Sequence, residues 1–235
     1  MSTDGPILQL AGVRKGYGGL RPLRIQSLAI AAAERVAITG LDAAAAEMMV
    51  NLVTGASLPD EGEIRVFGSS TADLANGEEW LASLDRFGIV TDRAVILEGS
   101  TLAQNLTLPF TLAIDPIEPD TLARVVELAA ECDIAPEWLE RPGGALPPAV
   151  RARTHLARAI ALGPSLLLME HPTAALPERE RGAFGSVVAR VCDARRLTML
   201  AMTLDTEFAG VAAQRTLALD GATGALRPIK KGWFR

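Results

Sequence analysis

A chain of 235 residues, 49% of them hydrophobic, can bury a full core, either as one large domain or as a core with an attached subdomain. Its net charge of −5 argues against a nucleic-acid partner, which would call for a basic patch or stripe. Two cysteines, Cys132 and Cys192, have no metal-ligand spacing, so a reduced setting and no metal centre are expected.

The first residues lack a charged-then-apolar signal pattern, and no run approaches the ~18 apolar residues of a membrane span. A membrane role would come through a partner. Ile7 to Val13 and Leu23 to Ile30 read as extended segments leading to a short apolar strand, Val36 to Thr39. A helix fits Ala43 to Thr54 with Gly55 as its stop, and strands fit Glu63 to Phe67 and Phe87 to Val90. After about Arg93 the texture turns helical, notably over Asp120 to Cys132, with Pro109, Pro116, Pro119, Pro136 and Pro142 as breaks.

From Ala149 helices and strands alternate: helix Ala149 to Leu162, strand Leu166 to Met169, helix Glu178 to Ala194, strand Leu197 to Met202. Arg215 to Leu219 completes an α/β core. The run Leu166-Leu167-Leu168-Met169 suits a strand covered on both faces, hence a mostly parallel sheet. At the end, Arg227, Lys230, Lys231 and Arg235 surround Trp233 and Phe234, as a solvated tail or as a contact for anionic lipid.

One segment stands apart. Ile38-Thr39-Gly40-Leu41-Asp42-Ala43-Ala44-Ala45-Ala46-Glu47 carries a strand into a helix as a phosphate-binding loop does. The pattern G-x-x-x-x-G-K-[ST] works because glycine lets N–H groups close around phosphate, lysine neutralises it, and the hydroxyl holds Mg²⁺. Only Gly40 matches; Ala45 stands at the second glycine, Ala46 at the lysine and Glu47 at the Ser/Thr. Alanines favour helix and resist the positive φ values open to glycine. Asp42 suits the N-cap, where its carboxylate would take the N–H of Ala44 or Ala45. Glu47 adds a second negative charge, which would repel polyphosphate; its alternative role, holding the metal itself, leaves the missing lysine unaccounted for.

Downstream, Asn51 to Gly68, NLVTGASLPDEGEIRVFG, resembles without a gap the stretch after the phosphate loop of ATP-binding cassette (ABC) ATPase subunits. Segment 146–173 resembles that family's run from signature loop to Walker B strand, through Arg151, Arg153, Leu156, Ala157, Arg158, Ala159, Leu166 to Leu168, Pro172 and Thr173. The chain is identified as an ABC nucleotide-binding domain over nearly its whole length. The resemblance implies a P-loop NTPase-like (RecA-like) α/β fold, a mostly parallel sheet core with an antiparallel β part at the N-terminus and an inserted helical subdomain. Within that one domain, 1–92 would hold the β part and first half of the core, 93–150 the helical subdomain, and 151–235 the second half and tail.

In the family, as the resemblance implies, ATP and Mg²⁺ lie between two subunits, and each contact can be placed here. Glu170 replaces the metal-orienting Asp and His171 the catalytic Glu. His171 suits a general base near neutral pH, or a hydrogen-bonded packing residue after an apolar strand. Leu146-Pro147-Pro148-Ala149-Val150 replaces a signature serine and two glycines; proline is tolerated where a helix begins, so the helix survives without its γ-phosphate contacts. Asp92 stands at the Q-loop glutamine, with a register margin of one residue, Leu204 at the switch histidine and Pro177 at the D-loop aspartate. Tyr17 stands where an aromatic stacks on adenine, or is a half-exposed loop residue. With Gly40, Asp42, Ala43, Ala44, Ala45, Ala46 and Glu47 it would outline a vestigial nucleotide site.

Two such subunits share their sites, so pairing this chain with an intact one leaves neither composite site whole. What remains is the surface that docks a membrane subunit, over Thr91 to Phe110, where Ser100 to Pro109 resembles a stretch of importers and of lipid or lipoprotein transport subunits. Leu102, Leu106, Leu108 and Phe110 would form an apolar docking face there, or in part ordinary core. The expectation is a catalytically inert ABC subunit without a cofactor, peripheral at the cytoplasmic face of a membrane. Its partner would be an integral membrane permease, with a second ABC ATPase subunit or a copy of itself as dimer mate. The rivals are an active ATPase using ATP and Mg²⁺ through Glu47, Glu170 and His171, and a soluble scaffold of the same fold.

Overall fold

The computed structural model describes residues 5–18, 21–73 and 77–229. The chain runs β1 (Leu8–Lys15), β2 (Leu23–Ile30), β3 (Arg35–Thr39), α1 (Ala43–Val53), β4 (Glu61–Val66), β5 (Ser69–Ser70), α2 (Gly77–Leu84) and β6 (Phe87–Val90). Then come α3 (Leu102–Thr107), α4 (Pro119–Glu131), α5 (Pro148–Ile160), β7 (Leu166–Glu170), α6 (Glu178–Arg195), β8 (Thr198–Met202), α7 (Thr206–Ala212), β9 (Arg215–Leu219) and β10 (Leu226–Pro228).

Two sheets result. β2-β1-β4-β5 is antiparallel, and the other has the order β10-β9-β3-β8-β7-β6. In the second, β9, β3, β8, β7 and β6 pair in parallel and only the edge strand β10 runs antiparallel. The fold is therefore the mixed α/β arrangement expected, with an antiparallel layer beside a mostly parallel core.

Strand alternation divides the interior into two cores. On β7, Leu166 and Leu168 face α1 and the antiparallel sheet, while Leu167 and Met169 face the helices α5 and α6. β8 does the same with Leu200 and Met202 on one side and Met199 and Ala201 on the other. Helices on one face and a second sheet on the other explain why β7 is apolar from Leu166 to Met169 and β8 from Met199 to Met202.

Between β6 and β7 lie α3, α4 and α5. Thr101 and Gln104 form a reciprocal capping box at the start of α3. Asn105, fully buried, accepts from the Leu97 N–H (2.8 Å) and donates to the Leu97 and Thr101 carbonyls (3.0 and 2.9 Å), folding the segment ahead of that helix. One expectation is corrected here: Leu102 and Leu106 are fully buried, on the stripe that packs α3 into the helical core. They cannot be a docking face. Leu108 and Phe110 are half-buried, and Phe110 packs on that core under the Arg124 guanidinium, 3.9 Å from its ring centre.

Arg35 opens β3 with a buried guanidinium, its Nε donating to the Ala212 carbonyl at 2.8 Å and its Nη1 paired with Asp193. It ties the central strand to α6 and α7. Because the two cores meet at β7, Leu168→Ala removes contacts that nothing else replaces. It is expected to lower unfolding free energy by about 2–5 kcal/mol in urea titration, whereas Leu112→Ala at an 86% exposed position stays within about 0.5 kcal/mol.

Candidate functional site

The carboxyl ends of β3, β7 and β8 open onto one cavity of about 710 Å³, where an α/β sheet places ligands. Its floor is the turn from β3 into α1. Gly40 has φ +94°, and a Cβ there would meet the Leu219 carbonyl oxygen at 2.9 Å, so the turn requires glycine. Asp42 follows in extended conformation as the N-cap.

Its Oδ1 accepts the Ala45 N–H at 2.8 Å, and its carbonyl accepts the Ala46 N–H at 2.9 Å. The self-capped helix start is as expected, with Ala45 as the donor. Ala46 is 0% exposed, so the motif's lysine position is a methyl group inside the core. Ala43 and Ala44 line the cavity.

At the far wall β7 ends in Glu170, whose side chain is only 6% exposed. Arg93, from the loop after β6, reaches it. Its Nη2 donates to both Glu170 oxygens, at 2.9 and 2.7 Å, and its Nη1 pairs with Glu47 on α1. The Thr91 hydroxyl accepts from the Arg93 Nε at 3.3 Å and hydrogen-bonds Glu170 in turn. Burial raises the Glu170 pKa above the ordinary carboxylate value, and the charges of Glu47 and Asp92 push the same way against Thr91 and Arg93.

Glu47 is thus ion-paired, but it shares its one cation with Glu170, so the two acids keep a net negative charge. Asp92 lines the cavity as the Q-loop reading requires, but its neighbour Arg93 makes the contacts. Nothing in local pattern marks Arg93. The available signal was two carboxylates, Glu47 and Glu170, placed by flanking motifs at one spot and in need of a cation.

His171 takes left-handed backbone at φ +39°, rare for a residue with a side chain, and its N–H donates to the Met202 carbonyl at 2.8 Å. Its Nε2 is buried without a hydrogen-bond partner among the described residues, and the residue lines the cavity beside Glu170. Leu204, 64% exposed, stands on the rim beside Asp205, which caps α7 through the Phe208 N–H (3.0 Å) and faces Arg181 at 3.5 Å.

The remaining expected residues do not converge here. Tyr17 is half-buried against the core of β1, β2 and α1; burial, then the Asp42 charge, raises its pKa. Pro147 caps α5 and Pro148 begins it, with Leu146 and Val150 buried and Ala149 half-buried. Arg151 closes the preceding turn through the Leu146 and Gly143 carbonyls, at 3.2 and 3.0 Å. Pro148 borders a separate cavity of about 200 Å³ shared with Asp92, His155 and His171. Lys230, Lys231, Trp233, Phe234 and Arg235 lie outside the described residues.

The pairing gives a pH signature. An acid whose pKa is raised by folding holds its proton more tightly folded than unfolded, so its contribution to stability falls as pH rises through the folded pKa. Arg93→Gln deprives Glu170 of its cation and raises that pKa further. The stability gap between wild type and Arg93→Gln should be wide near pH 7 and narrow as pH falls toward the ordinary carboxylate value of about 4.3, where Glu170 is protonated in both. Urea titrations at both pH values check this, and a gap constant with pH contradicts it.

Comparison with known proteins matches the ABC transporter family profile to residues 23–174. The methionine import ATP-binding protein MetN of Brucella abortus is 27% identical over 220 residues, covering 93% of this chain, which spans 58% of that protein's length. The lipoprotein-releasing system ATP-binding protein LolD of Alcanivorax borkumensis is 25% identical, covering 94% of this chain and 98% of its own. Among solved structures, the dimeric post-hydrolysis ABC cassette MJ0796 with ADP and Pi superposes with a TM-score of 0.76 at 22% identity, over 97% of this chain and 100% of that one. The cbiO1 subunit from Clostridium perfringens, part of the cbiONQ transporter complex, gives 0.78 at 16% identity, over 95% and 88%. With the profile covering well over half its length and the architecture shared, the chain belongs to the ABC transporter family.

Proposed function

We propose that this chain is a non-hydrolysing ABC-type subunit that serves a membrane transport complex as a structural or regulatory component. The single observation that carries this reading is Arg93, held between Glu47 and Glu170 beside a helix start that Asp42 has already capped. A magnesium triphosphate needs free N–H donors, a lysine and an available carboxylate. Here the Asp42 carboxylate takes the Ala45 N–H, the lysine position is a buried methyl, and the two carboxylates share one guanidinium. The residues present do not fit that ligand, so no cofactor belongs to this reading. The rival, an ATPase working through Glu47, Glu170 and His171, would have to release both acids from Arg93 first.

On this reading residues 93–150 form the helical subdomain, between a first part at 1–92 and a second at 151–235. The dimer mate is a second ABC ATPase subunit or a copy of this chain. An integral membrane permease is the docking partner, at the cytoplasmic face. A groove of about 340 Å³ between β6 and α5 supports that placement; Phe87, Ile89, Leu108, Pro109 and Leu162 line it, with Asp85 and Arg158 among its charged residues. Leu108 is thus retained from the expected face, while Leu102, Leu106 and Phe110 serve packing.

Titration calorimetry of the purified chain with Mg-ATP should give no binding heat, and phosphate release should match a protein-free blank. Micromolar binding or steady turnover would contradict the reading. For the docking groove, Leu162→Glu, at a position that is half-exposed, should leave folding intact and abolish co-purification of a membrane permease with the tagged chain. Retention of the permease would remove the groove from the account.

A further inference from the structure

Arg93 is also the first residue of the 93–150 segment, so its three-way contact is a mechanical junction as well as an electrostatic one. One guanidinium joins α1 through Glu47, the end of β7 through Glu170, and its own loop through Thr91. Immediately beyond it, the Val95 carbonyl accepts from the Arg158 Nη1 on α5 at 2.6 Å, and Asn105 fixes the loop from Leu97 to Thr101.

The opposite side of the segment is tied as well. Arg195 on α6 grips Glu131, the last residue of α4, with two bonds of 2.6 Å, and donates to the Ile160 carbonyl at the end of α5 at 2.7 Å. Asp133, just past α4, faces Arg153 at 3.5 Å and Arg190 at 3.8 Å. Planar guanidinium groups with several donors suit such bridging, because each holds more than one acceptor in fixed geometry.

The two acids that Arg93 spans are the Ser/Thr and Walker B positions, where the family resemblance would seat a metal ion. We infer that Arg93 is a tethered cation standing in for that ion, which locks segment 93–150 to the α/β core whether or not a nucleotide is present. The inference rests on the non-hydrolysing reading, and extends it from what the site lacks to what the site does. A permease docked beside β6 would meet one fixed conformation of the subunit.

Hydrogen exchange of the full chain, read by mass spectrometry, tests it. Arg93→Gln should speed exchange over 94–107 by about tenfold, which is about 1.4 kcal/mol. Amides of β3 and β8 should keep their wild-type rates, and Arg93→Lys, which retains the charge without the fork, should fall between. Adding Mg-ATP should leave the wild-type pattern unchanged. Unaltered exchange over 94–107 in Arg93→Gln overturns the lock. If that variant does not fold, Glu47→Gln, which removes one exposed partner, replaces it, with faster exchange in the same segment supporting the lock and no change overturning it. Steady phosphate release by wild type with a loosened Arg93→Gln would sink the non-hydrolysing reading and spare the lock, so the two failures are distinguishable.

Discussion

A carboxylate at the end of a fully buried strand demands a positive partner, and the identity of that partner organises this site. Glu170 lies on β7 between two apolar cores, with 6% of its side chain exposed. Leaving it unpaired there would be costly, because desolvation penalises the charged form. Arg93 supplies the charge from within the chain, and the same guanidinium absorbs Glu47. One guanidinium shared by two carboxylates offsets half of their charge, so the pair keeps a net negative charge.

The fold makes that completion local. Parallel strands β3, β8 and β7 deliver the α1 turn, the Thr203–Asp205 corner and Glu170 to one edge, so residues far apart in sequence surround a single cavity. The self-capped α1, the buried methyl of Ala46 and the bridged acids arise from separate residues, and on the proposed reading each opposes the binding of a metal triphosphate in a different way. Agreement among them is what gives the reading its weight.

Much of the fold was legible because pattern and packing agree. Strands β2, β6 and β9 fall on the residues that alternation and apolar runs mark, and the continuous run at Leu166 to Met169 correctly signalled cover on both faces. Helices α2 and α7 were missed. Each is short, 8 and 7 residues, and owes its place to contacts made elsewhere, such as the Trp80 indole donating to the Thr54 carbonyl at 2.9 Å and Phe208 stacked on Phe184 of α6 with ring centres 5.9 Å apart. The leucines of α3 show the converse limit, since an apolar stripe does not say whether its partner lies inside or outside the molecule. Asp42 could be assigned its role from sequence because a cap acts within three residues. Arg93 could not, because its partners lie 46 residues before it and 77 after.

The claim on which the rest depends is that Arg93, and no metal ion, bridges Glu47 and Glu170 in the working protein. A crystal structure grown in millimolar Mg-ATP addresses it directly. The account predicts the Arg93 guanidinium between the two carboxylates with no nucleotide against Ala45 and Ala46. A metal ion seated between Glu47 and Glu170, with Arg93 turned out to solvent and phosphates over the start of α1, would contradict it.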